Sequence, residues 1–88
     1  MRTNPEYILR TIVDDHILVP CGEATTKFNG LINLNETAAF VWNAIDDSKD
    51  VDEIIQKVMK EFEVDEEMAA KDVKGLIKEL IMVGMVIE

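Results

Sequence analysis

Leu34-Asn35-Glu36-Thr37-Ala38-Ala39-Phe40-Val41-Trp42-Asn43-Ala44-Ile45 is the stretch in which this chain passes from extended to helical structure. Just ahead of it, Leu31-Ile32-Asn33-Leu34 is apolar and too brief for a helix, so it reads as a strand. Gly30 before that strand suits a bulge or a close backbone approach. Asn35 then offers a side-chain oxygen to the unpaired amides of a helical first turn, and Glu36 sits at the positive end of the helix dipole. Ala38, Val41, Trp42 and Ile45 recur at i, i+3, i+4 and i+7, while Phe40 and Ala44 lie on another side. A helix apolar on more than one face is buried between other elements, and Trp42 is its expected core anchor.

On the N-terminal side, Tyr7 to Val13 is rich in β-formers, Asp14-Asp15 interrupts it, and His16-Ile17-Leu18-Val19 follows before Pro20. Two such runs around a polar pair predict a β-hairpin, with His16 in a turn or strand role. Cys21 to Gly30, with Gly22, Thr25, Thr26 and Asn29, reads as a loop. On the C-terminal side, Asp50 and Glu53 have the spacing of a capping box ahead of Val51, Ile54, Ile55, Val58 and Phe62. Asp65 caps a third helix that runs to about Val83, where Gly84 stops it. Its core stripe is expected to be Ala69, Val73, Leu76 and Leu80. A second apolar strip, Ala70, Ile77 and Ile81, lies beside Lys71, Lys74 and Lys78. Met85-Val86-Ile87 is expected to pack as a short extended tail.

Strands come first and helices last, which argues for an α+β domain and against a parallel α/β sheet. One domain is expected over 1–88, with strands in about 7–34 and helices in about 35–83. A formal net charge of −9 disfavours phosphate backbones and anionic membranes, and suits basic or apolar peptide partners. One cysteine and one histidine supply neither a disulfide nor a common zinc site. No phosphate-binding loop or dinucleotide fingerprint is present, and Asp14-Asp15, Asp46-Asp47 and Glu66-Glu67 fall in turns or at helix starts, where carboxylates are solvated. No catalytic residue, metal or cofactor is therefore expected. Without a signal-like or membrane-length apolar run, a cytoplasmic setting is the expectation.

Three strands cannot close a barrel, so an edge of the sheet is left to pair with an extended peptide. The third helix, with its extra apolar strip and lysines, is expected to form the other wall of a groove, where Lys74 and Lys78 would pair with acidic peptide residues.

The run Leu34-Asn35-Glu36-Thr37-Ala38-Ala39-Phe40-Val41-Trp42, followed by Ile45-Asp46, resembles the signature of the PqqD family, the RiPP recognition elements that bind the leader of a ribosomally made precursor peptide. The likeness continues through Val51-Asp52-Glu53-Ile54-Ile55, Phe62, Asp72-Val73, Leu76, Leu80 and Gly84-Met85-Val86. Asp47 departs from it, because the family often has glycine after the aspartate. The resemblance implies a winged-helix-like fold, three N-terminal strands followed by three helices, with a leader peptide added beside the third strand and against the third helix. It implies a peptide-binding set of Phe28, Gly30, Leu31, Ile32 and Asn33 on the strand side. On the helix side the set is Ala70, Val73, Lys74, Ile77, Lys78 and Ile81. It further implies a radical S-adenosylmethionine (radical SAM) peptide-modifying enzyme as partner, in pyrroloquinoline quinone biosynthesis or another peptide pathway. The expected role is a non-catalytic peptide chaperone. Two other roles stay open at this point: a winged-helix DNA-binding regulator, and a structural subunit of an oligomer. A homodimer formed by strand exchange through the 21–30 loop is open as well.

Overall fold

The computed structural model describes residues 1–23 and 32–88. The described elements run β1 (Arg2–Thr3), β2 (Tyr7–Ile12), β3 (Asp15–Pro20), β4 (Ile32–Leu34), α1 (Glu36–Ile45), α2 (Val51–Phe62), α3 (Glu66–Met82) and β5 (Val86–Ile87). The expected third strand is thus β4. β1, which the sequence pattern left unassigned, and β5, within the expected extended tail, flank the rest.

β2, β3 and β4 form one antiparallel sheet in that order. The hairpin register pairs Tyr7 with Pro20 and Ile12 with Asp15, so the turn is Val13-Asp14 and Asp15 already belongs to β3. Pro20 ends the strand inside the ladder, as its last paired residue. His16, Ile17 and Leu18 pair with Leu34, Asn33 and Ile32. Alternation along the strands therefore puts Leu18, Ile32 and Leu34 on the face toward the helices, and Ile17 and Asn33 on the outer face. Leu18 is fully buried; Asn33 is exposed.

Each helix starts on a side-chain cap: Asn35 accepts from the Ala38 amide at 2.7 Å, Asp50 from Glu53 at 2.9 Å, and Asp65 from Met68 at 2.8 Å. Glu53 reaches back past the cap residue to accept from the Lys49 amide, so the expected box closes one residue further out. The core joins Leu18 to Val41, Trp42 and Ile45 of α1, Ile54, Ile55 and Val58 of α2, Ala69, Val73, Ile77 and Leu80 of α3, and Met85 and Val86. Phe40 packs edge-on against Phe62, with centroids 5.4 Å apart.

The chain reverses at the end of α3. Gly84, at φ +81°, takes the left-handed conformation that a side chain would strain. Its amide donates to Ile81 O at 3.1 Å and that of Met85 to Leu80 O at 2.9 Å, the paired bonds of a Schellman motif. Met85 thereby turns into the core beside Leu80, and β5 goes on to pair antiparallel with β1, Thr3 opposite Val86 and Arg2 opposite Ile87. The expected extended tail is therefore a paired strand. Asn4 ties the junction down by donating its side-chain amide to Gly84 O at 2.8 Å and its backbone amide to Met85 O at 2.9 Å.

Candidate functional site

The Leu34-to-Trp42 signature sets up the site by geometry: Asn35 starts α1 directly after β4, so β4 is held at the edge of the sheet with the helical layer behind it. Only β3 pairs with β4 among the described residues, and the opposite edge offers main-chain amides and carbonyls. Beside that edge lies a cavity of about 480 Å³, walled by Ile32 and Leu34 of β4 and by Leu76, Glu79 and Leu80 of α3. Met82 and Val83 form its rim and are 76% and 58% exposed. A second hollow of about 380 Å³ prolongs it along α3 past Leu76, Gly75, Asp72 and Lys71. A Cβ built on Gly75 would meet nothing within 4 Å, so this mid-helix glycine faces open space and leaves the helix backbone approachable from outside.

The structure divides the residues expected on the helix side. On a wheel of about 100° per residue, Leu76, Asp72, Glu79 and Val83 lie on one flank of the buried arc, and Ala70, Lys74, Lys78 and Ile81 on the other. The first flank faces β4. Val73 is core, 1% exposed. Ile77 is also in the core cluster, where Leu76 had been expected, and Leu76 is only half-buried. Ala70 and Lys74 border α2 at Asp52, Ile55 and Gln56. Lys74, Ile77, Lys78 and Ile81 line a separate cavity with Lys49 and Val51. Lys74 and Lys78, expected in the groove, border that other cavity and not the one beside β4, because the core arc is centred nearer Ile77 than Leu76. In their place the β4 groove carries Glu79.

On the strand side, Ile32 contributes to the groove wall and Asn33 to its edge. Phe28, Gly30 and Leu31 lie outside the described residues. Sequence reasoning passed over Glu79, Met82 and Val83; the available signal was the apolar Met82-Val83 pair at a helix end, beyond the buried stripe.

No group of three or more metal-ligating side chains comes together among the described residues. His16 bonds Thr11 Oγ1 across the hairpin at 3.0 Å, and the Cys21 thiol donates to Glu6 O at 3.2 Å. No helix among the described residues is long and apolar enough to cross a membrane.

An edge strand beside an apolar groove is an arrangement with which an extended chain can pair. Residues 15–86 match the family described as Coenzyme PQQ synthesis protein D (PqqD), and the chain belongs to that family. Two solved structures share its fold. One, described as TbiB1 in complex with the TbiA(beta) leader peptide, superposes with a TM-score of 0.77 at 16% identity, covering 98% of this chain and 94% of its own. The other, lasso peptide synthetase B1 complexed with the leader peptide, gives 0.77 at 24% identity, covering 99% and 96%. A search of the curated proteins returns no match.

Proposed function

We propose that this protein binds the leader segment of a ribosomally made precursor peptide as an added strand on β4 and presents the peptide to a modifying enzyme. The observation that carries the reading is the open β4 edge beside an apolar cavity against α3. Family membership and the leader peptides held by both structural neighbours support it. Main-chain bonds to β4 would contribute affinity whatever the peptide sequence, each about 0.5–1.5 kcal/mol net. Specificity would come from alternate side chains entering the cavity lined by Ile32, Leu34, Leu76 and Leu80, with Val83 at the mouth. Glu79 at that wall favours a leader that is apolar with a basic residue nearby over an acidic one. The chain acts as a tether that raises the peptide's effective concentration at the enzyme, and the chemistry belongs to the partner, a radical SAM enzyme in this reading.

The test is amide NMR of the full chain titrated with the leader of a precursor peptide encoded beside it. Shifts gathered on Ile32–Leu34, Leu76, Glu79 and Val83 are expected. Shifts absent there, with the same amides protected in the free protein at high concentration, would mean that another copy fills the groove.

A further inference from the structure

α3 has a second open flank. Facing away from β4, it borders a cavity of about 600 Å³ whose apolar surface comes from Val51, Ile77 and Ile81 with Met1 and Met82 at its ends, and whose charge comes from Lys49, Lys74 and Lys78. A chain of net charge −9 thus places three of its nine basic residues around one apolar concavity. The ammonium groups of these three lysines have no hydrogen-bond or ion-pair partner among the described residues. Lys57, by contrast, donates to Asp47 O at 3.2 Å and to Ser48 Oγ at 2.9 Å. Two acids stand at the margin, Asp50 and Glu88, and the Asp50 carboxylate is engaged in capping α2.

We propose that this concavity is a second docking site, distinct from the β4 groove, and that it takes an acidic amphipathic helix of the modifying enzyme. Charge selects the partner: unpaired lysines around an apolar floor match apolar residues flanked by carboxylates. Lys74 and Lys78 stand one turn apart on α3, so they match acids at i, i+4 on a facing helix. Nucleic acid lacks the apolar side chains to fill the floor, and the net charge of the chain opposes it. The two sites lie on opposite flanks of α3 and meet only at Met82, which borders both, so α3 is the shared wall between peptide and enzyme. Naming the occupant as the enzyme rests on the leader-holding reading; the acidic-helix site itself does not.

The experiment uses the ¹⁵N-labelled full chain and two synthetic probes of about four helical turns, a length that is marginally helical alone. One carries a leucine stripe flanked by glutamates at i, i+4; the other has lysine at every glutamate. The acidic probe is expected to shift the amides of Val51, Lys74, Lys78 and Ile81, to bind about tenfold or more tightly than the lysine probe, and to weaken with added salt. The exposed pair Lys74→Glu/Lys78→Glu should abolish that binding while the spectrum keeps its dispersion and the leader still shifts Ile32–Leu34. Equal binding of both probes, or shifts on the β4 groove alone, would overturn the site. Self-association blocked by Lys74→Glu/Lys78→Glu would assign the surface to a second copy and overturn the enzyme partner. Loss of leader binding in the unaltered chain, with the acidic probe still bound, would sink the leader-holding reading and leave the site standing.

Discussion

Glu63 holds a left-handed conformation, φ 52° and ψ 44°, at the C-terminal end of α2, where a helix most often places glycine. It is exposed, and a side chain costs about 1–2 kcal/mol in that conformation. Glu63→Gly is therefore expected to raise stability by about 1 kcal/mol, seen as a higher denaturant midpoint at unchanged slope. Val13 shares the positive φ, 57°, at the hairpin tip, where it is 89% exposed and β-branched. At the opposite extreme, Trp42 is 6% exposed within the core cluster. Trp42→Ala should cost about 3–5 kcal/mol, and an unchanged melting temperature would refute its anchoring role. Asp46 is informative in another way. Its carboxylate accepts from the Thr3 amide at 2.9 Å and from the Thr3 hydroxyl at 2.5 Å, which fastens β1 to the end of α1. Its place in the family-like sequence run is thus explained by a long-range bond that no local pattern could disclose.

The elements differ in how much of them the sequence disclosed. All three helices were legible because each combines a capping side chain with a 3.6-residue apolar period, and Asn35, Asp50 and Asp65 occupy the cap positions read from the sequence. β5 was legible only as an extended tail and β1 not at all, because two residues give no period and their pairing joins opposite ends of the chain. The candidate groove was legible as a strand edge beside a helix, but its helix wall was not. α3 is apolar on both flanks of its buried arc, and a single wheel does not say which flank meets β4. The choice is made by the packing of the other elements. Val83→Glu tests the wall proposed here. Val83 is 58% exposed, so the melting temperature should hardly move, while leader affinity falls by about tenfold. Leader affinity unchanged in this variant would remove Val83 from the mouth of the groove.

For the whole molecule, the core is mainly helical, and Leu18 is the one fully buried residue of the β2–β3–β4 sheet among the described residues. The hairpin therefore projects from the helices and holds β4 at the edge without being sealed into the core itself. Closure of the fold depends on the β1–β5 pair, which the Asp46 and Asn4 bonds hold in place. Asp46→Ala removes two acceptor bonds and should cost about 1–2 kcal/mol, with faster hydrogen exchange at Val86 and Ile87 than at Val58 in the core. Uniform acceleration across all three amides would show instead that β1 and β5 open only with global unfolding.

Because Arg2 and Ile87 face each other as strand partners, the polypeptide enters and leaves this fold at neighbouring points, about 5 Å apart. A unit threaded in that way can be spliced into a surface turn of a larger host, whose own ends need separate by no more than the width of a strand pair. The same groove could then be carried as a free-standing unit or as an insert within a larger chain.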